Sequence, residues 1–213
     1  MGNRQNKVKL TWSDNFAYVI GIIATDGNLS KDLRHIIITS KDYEMMLNCK
    51  KCLGIENKIS KKVRGGEKEK KYYVLQFGDI NFYNFLLELG LTSRKSKTIS
   101  ELKIPFEYFP HFLRGCIDGD GSLSISYHPE SIHPQYKIRI YSASKNFLDW
   151  ILFCCKKTFT LKGGTISKFG KNYVYTLRFG KADSIEITKT IYQKNVICLS
   201  RKKDIAIKML TGE

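Results

Sequence analysis

The chain repeats itself, and a repeat constrains architecture more than any single motif, because each copy must fold to one plan and bury the same faces. Phe16 to Ser30 (FAYVIGIIATDGNLS) answers to Pro110 to Ser124 (PHFLRGCIDGDGSLS). Thr39 to Asp42 (TSKD) then answers to Ala143 to Asn146 (ASKN), and Ile59-Ser-Lys61 to Ile166-Ser-Lys168. Tyr72 to Gly78 (YYVLQFG) answers to Val174 to Gly180 (VYTLRFG), and Ser93-Arg-Lys95 to Ser200-Arg-Lys202. Order is preserved throughout. Within each copy the apolar period changes from about 3.6 to about 2 and back. This predicts an α+β fold of two αββαββα halves, residues 1–102 and 103–213, with Pro105 and Pro110 bracketing the linker. The second copy inserts Tyr127 to Tyr136 between its first two strands, and His128 and His133 in that stretch are expected in a solvated loop.

The first repeated segment carries the chemistry. Val19 to Gly27 (VIGIIATDG) and Leu113 to Gly121 (LRGCIDGDG) are expected to be helices, ended by Gly27 and Gly121 in the left-handed conformation common after a helix. Gly21 with Thr25, and Gly115 with Gly119, put small residues four apart on one face, where two helix backbones can approach closely. Glycine inside a helix costs about 1 kcal/mol against alanine, so its recurrence implies a packing reason. Such a pair would bring Asp26 and Asp120 together on the last turns. Helix C-termini already carry about half a negative charge, so two carboxylates there call for a cation. Magnesium, which takes oxygen ligands and keeps waters, suits two carboxylates facing a phosphate.

Charge names the partner class. Among 213 residues, 36 lysines and arginines stand against 20 acids, a net +16 that points to a phosphate backbone. A membrane partner is not expected, because no apolar run approaches the roughly 20 residues of a spanning helix. The six cysteines form no framework. Cys49 and Cys52 make a lone CxxC without the second half of a zinc site, and buried thiols in a reducing compartment are expected. No signal-peptide pattern opens the sequence, which suits an organelle (mitochondrion or chloroplast) if organelle-encoded, or otherwise a prokaryotic cytoplasm, and not secretion.

The two nine-residue segments resemble the paired LAGLIDADG motifs of homing endonucleases, and the repeat pattern extends the resemblance over nearly the whole chain. That resemblance implies a monomer with two saddle-shaped sheets on the DNA major groove and the motif helices packed at the centre. It implies hydrolysis of both strands of a long, pseudo-palindromic site with Mg2+ or Mn2+, two or more ions bound with DNA, leaving short 3′ overhangs. Its metal-binding acids map to Asp26 and Asp120, and its basic residues beside the scissile phosphates to Lys95 and Lys202. Ser40 and Ser144 fall where members often carry a glutamine near the reactive water, with Lys41 and Lys145 as second choices. Ala24 departs from the motif's first acid, whereas Asp118 keeps it.

Strand alternation gives a DNA-facing set without the family. A half-buried strand shows one face to the core and the other to a partner. Outward positions expected in the first half are Asn28, Ser30 and Arg34, then Ser60, Lys62 and Arg64, then Tyr72, Val74 and Gln76. In the second half they are Ser122, Ser124 and Ser126, then Lys137, Arg139 and Tyr141, then Val174, Thr176 and Arg178. Arginine and glutamine among them suit base edges, and lysine suits phosphates. Three functions compete on this scaffold: an intron-encoded endonuclease of double-stranded DNA, a maturase that binds intron RNA, and a DNA-binding regulator without chemistry. Retention of both acids and both lysines favours the first.

Overall fold

In the computed structural model the described residues are 6–63, 69, 71–128, 133–169 and 174–212. The first repeat runs α1 (Asp14–Asp26), β1 (Gly27–Leu29), β2 (His35–Ser40), α2 (Tyr43–Leu53), β3 (Ile59–Lys62), β4 (Tyr72–Gly78), α3 (Ile80–Glu88) and a single turn, α4 (Lys95–Thr98). The second runs α5 (Phe109–Asp120), β5 (Gly121–Ser126), β6 (Gln135–Ser142), α6 (Lys145–Thr158), β7 (Thr165–Phe169), β8 (Val174–Phe179), α7 (Lys181–Ile191) and α8 (Ser200–Thr211). The expected αββαββα plan is present twice. Each sheet is antiparallel, in the orders β1-β2-β4-β3 and β5-β6-β8-β7.

Helix α1 starts where the Ser13 hydroxyl accepts the Phe16 N–H at 3.2 Å, satisfying one of the donors a helix N-terminus leaves free. From Phe16 to Ala24 every α1 residue is buried, so this helix is a central rod and not an amphipathic cover. Its partner is α5. A Cβ on Gly21 would sit 2.2 Å from the Phe112 carbonyl oxygen, and one on Gly115 would sit 2.0 Å from that of Tyr18. Backbone touches backbone at this crossing, which is the packing reason for two glycines in helix interiors. The hydrophobic face of each sheet closes on the rods, with Ile36, Ile38, Leu75 and Phe77 buried in one half and Ile138, Ile140, Leu177 and Phe179 in the other.

The helix ends differ from expectation. Gly27 (φ −82°) and Gly121 (φ −105°) are extended, not left-handed, and open strands β1 and β5 directly. Glycine is required there for space: a Cβ would lie 2.6 Å from the Ile23 carbonyl oxygen or 2.6 Å from the Ile117 Cα. The motif acids therefore sit at a helix-to-strand junction with no intervening loop.

Strand pairing also corrects the repeat alignment. Ser40 pairs with Tyr73 and Ser142 with Tyr175, so Ser40 is equivalent to Ser142, not to Ser144. Each accepts a hydrogen bond from a backbone N–H two residues on, Asp42 to Ser40 at 3.2 Å and Ser144 to Ser142 at 3.1 Å. Asp42 and Ser144 are thus the equivalent pair, each preceding its helix as N-cap. The extra length of the second copy is a longer hairpin: β5 and β6 continue pairing through Ser126 and Gln135, where β1 and β2 stop at Leu29 and Ile36. His128 and His133 are exposed at its tip. Cys49 is fully buried in α2, and Cys52, half-buried one turn later, has its thiol pushed by burial to about 12.

Candidate functional site

The junctions at the ends of α1 and α5 meet. A cleft of about 700 Å3 is lined by Asp26 and Asp120 together with Thr25, Asn28, Ile37, Thr39, Lys62, Lys95 and Ser96. A smaller one, about 270 Å3, adjoins it toward the second sheet, where Lys95, Ser96 and Asp120 recur beside Tyr141, Ser142 and Val174. The acids are close enough to feel each other. Burial and then the Asp120 carboxylate push Asp26 from 3.8 to about 7, against the opposing pull of Lys95 and Lys202. A Cβ on Gly119 would lie 3.0 Å from Asp26 Oδ2, so the side chain of one motif helix leans on the backbone of the other. Two carboxylates held so that one resists ionisation at neutral pH make a strong demand for a cation.

Each helix end is also met by a lysine from the opposite end of its own repeat. Lys95 Nζ donates to the Thr25 carbonyl at 3.2 Å. Lys202 Nζ donates to the carbonyls of Asp118 (2.8 Å) and Gly121 (2.9 Å), and closely to that of Ile117. Both are almost fully buried, and burial lowers both from 10.5 to about 8. A cation at a helix C-terminus offsets the macrodipole and satisfies carbonyls that the helix leaves free. Their surroundings differ, however. Lys95 lines both clefts, and its leading charged neighbours are Asp120 and Asp26; for Lys202 the leading one is the buried Asp118.

Asp118 lies outside the cleft. Fully buried, it accepts the hydroxyls of Tyr18 (2.9 Å) and Tyr192 (2.8 Å) and the backbone N–H of Leu199 (2.7 Å). It ties α1, the end of α7 and the start of α8 to α5. Ala24 occupies the matching place in α1 and packs in the core.

The second-choice residues separate. Ser144 is a buried cap whose hydroxyl accepts the Phe147 N–H at 3.4 Å and donates to the Ile99 carbonyl at 2.5 Å, so it is taken up by structure rather than facing a reactive water. Lys145 is exposed and paired with Asp149 at 2.8 Å, one helical turn on. Ser40 accepts from backbone, and Lys41 lies over the Tyr72 ring at 5.2 Å. None of the four lines either cleft.

On the open sheet faces the alternation holds at most positions. In the first half Asn28, Ile37 and Gln76 form one cross-strand row, with Ser60 and Lys62 exposed alongside. The same row in the second half is Ser122, Arg139, Arg178 and Thr165. Arg139 and Arg178 are directly opposed, and Arg139 Nη1 donates to Ser124 Oγ at 3.1 Å. Like charges facing each other across a ladder destabilise a sheet, so this placement has a reason outside the fold. Lys137 pairs with Ser124 and Ser126 with Gln135 farther along, and Tyr141 is half-buried beside the cleft.

Three positions depart from expectation. Thr176 is on the outward alternation but only 5% exposed, as is its equivalent Val74 at 7%, because both sit in the sheet centre near the junction. Arg34 lies outside β2, beside Lys7 and His35, and does not extend the row of Asn28 and Gln76. Arg64 falls outside the described residues. Ser30 is half-buried and closes the β1-β2 turn, its N–H donating to the His35 carbonyl at 2.9 Å. The cleft also holds Ile37 and Thr39, two outward positions of β2 that strand alternation could have named, and Ser96, which lies on α4 where alternation does not apply.

Comparison with known proteins agrees with this fold. Residues 13–97 match the LAGLIDADG-like domain family. The N-terminal LAGLIDADG domain of DUF199/WhiA is 17% identical, with 95% of this chain and 93% of that one covered and a TM-score of 0.58. Mesophilic variants of the homing endonuclease I-DmoI are 18% identical, with 85% and 91% covered and a TM-score of 0.55. The same coverage, identity and score hold for I-DmoI in complex with DNA and calcium. At these identities the likeness is one of fold. No curated protein sequence matches the chain.

Proposed function

We propose that this chain, a member of the LAGLIDADG family, is a site-specific endonuclease that uses a divalent metal to hydrolyse both strands of a long double-stranded DNA site, leaving short 3′ overhangs. The observation that carries the reading is the meeting of Asp26 and Asp120 at the ends of two helices in backbone contact, in one cleft between two sheets. A bare binding module has no use for an acid that burial, and then a second acid beside it, raise to about 7.

Asp26 and Asp120 would hold Mg2+ or Mn2+. Among the described residues no group of three or more His, Cys, Asp or Glu side chains gathers, so a cation would complete its shell from water and phosphate oxygens. When bound, the ion supplies Lewis acidity toward the scissile phosphate and toward water. Lys95, facing the cleft, counters charge that builds on the phosphate. Lys202 holds the end of α5 and with it Asp120. Lys62 and Lys137 suit phosphates, and Gln76, Arg139 and Arg178 suit base edges. The opposed arginines support DNA as partner, since a groove offers the acceptors that relieve them. Among the described residues no helix is long and apolar enough to cross a membrane.

The test is cleavage of DNA carrying the uninterrupted host allele, in magnesium, by the wild type and by Asp26→Asn and Asp120→Asn. Linear product from the wild type alone, with binding retained in both variants, supports the reading. Tight binding by the wild type without cutting makes the chain a DNA-binding regulator and sinks it.

A further inference from the structure

We propose that the Asp42–Arg201 ion pair is a latch by which the first repeat positions Lys202 for the second. It rests on the proposed nuclease reading for its meaning, but not for its test. Four consecutive residues ahead of Lys202 are pinned. The Cys198 carbonyl accepts from Asn48 Nδ2 at 3.0 Å, the Leu199 N–H donates to Asp118, and the Ser200 N–H donates to Glu44 at 3.0 Å. Arg201 then grips Asp42 with two bonds, Nε to Oδ1 at 3.2 Å and Nη2 to Oδ2 at 2.8 Å. Three of these partners lie on or beside α2, in the other repeat.

Asp42 is committed to this contact at the expense of its local role. It is the N-cap of α2, where aspartate ordinarily accepts an N–H from the first turn, yet it makes no such bond. Its carboxylate goes to a guanidinium in matched, two-pronged geometry instead. The opposite corner of the molecule lacks the device. Where Asp42 and Glu44 stand in the first repeat, Ser144 and Asn146 stand in the second, so the equivalent Arg94 meets no carboxylate at those positions. Arg201, neutralised by Asp42, is withdrawn from phosphate binding, although its repeat position beside a central lysine suggests otherwise.

The experiment reads the lysine itself. The free protein is acetylated with an N-hydroxysuccinimide ester and the rate at each lysine is followed by peptide mass spectrometry. In the wild type Lys202, 2% exposed, reacts slowly. Asp42→Asn and Arg201→Gln each raise its rate about two- to fivefold, the scale of one partly exposed ion pair, and leave Lys95 unchanged. The charge swap Asp42→Arg with Arg201→Asp restores protection. Unchanged labelling of Lys202 overturns the latch, and so does an equal rise at Lys95, which marks general loosening. Weaker DNA binding by Arg201→Gln, with a salt slope lower by about one and labelling unchanged, would make Arg201 a phosphate contact and also overturn it. If the wild type cuts no DNA but Lys202 responds as stated, the nuclease reading fails and the latch stands.

Discussion

The two motif-helix ends descend from one plan and are held differently. At the end of α1, Lys95 comes from a single turn of helix, makes one bond to a carbonyl and faces the cleft. At the end of α5, Lys202 comes from a three-turn helix, bonds three carbonyls and is backed by Asp118, whose three donors fasten the segment that delivers it. A duplicated site can thus keep its residue types and divide their work, one lysine facing the cleft and the other holding the acid's helix. The sheets diverge likewise. One presents Asn28, Ile37 and Gln76 in the row where the other presents Ser122, Arg139 and Arg178 on a longer hairpin.

The largest expected effect tests what the halves share. Gly115→Ala and Gly21→Ala each push a Cβ into a backbone oxygen, and because neither rod can move without its sheet, each should cost at least about 3 kcal/mol in urea unfolding. Equal losses confirm a common crossing, while a loss under about 1 kcal/mol at either breaks it.

Asp118→Ala strands three buried donors and should cost about 3 kcal/mol, whereas Ala24→Ser, at the matching place in α1, should cost under half that. Similar costs would remove the distinction between the ends. Next in size, Lys202→Met should destabilise by about 2 kcal/mol and Lys95→Met by about 1, following the carbonyls each leaves unpaired. In cleavage the order should invert, with Lys95→Met the slower enzyme.

The remaining effect is one of pH. Asp26 is raised in the fold, so between about 4 and about 7 the native state holds a proton that the unfolded state has lost. Stability should therefore fall as pH rises through that window, and Asp26→Asn should flatten the fall. Magnesium should raise the melting temperature above pH 7 more than at pH 5, and in Asp26→Asn at neither. A wild-type curve as flat as that of the variant would contradict the coupled carboxylates.

Much of this was legible beforehand because a repeat exposes period and spacing together. The four-residue spacing of Gly21 and Thr25 pointed to a close helix pair, and alternation in Tyr72 to Gly78 separated Leu75 and Phe77 from Gln76. What escaped depends on contacts between distant segments. The serine-lysine echo at Ser40 and Ser144 looked like a repeat match, but ladder pairing sets the equivalence two residues away. Gly27 and Gly121 carry the composition of left-handed caps, yet steric room beside Ile23 and Ile117 is what selects them. Nothing local distinguishes Arg201 from Arg94, because the difference lies in what the other repeat offers them.

The most direct measurement is strand-resolved cleavage of a labelled duplex carrying the uninterrupted allele, in magnesium, by wild type, Asp26→Asn and Asp120→Asn at matched DNA occupancy. If the two acids form one cation-dependent centre, the wild type cuts both strands and each variant loses about a hundred- to a thousandfold in rate while still binding, the scale of removing one preorganised charge-stabilising group. A wild type that binds without cutting, or an Asp26→Asn variant that cuts both strands at the wild-type rate, would contradict it.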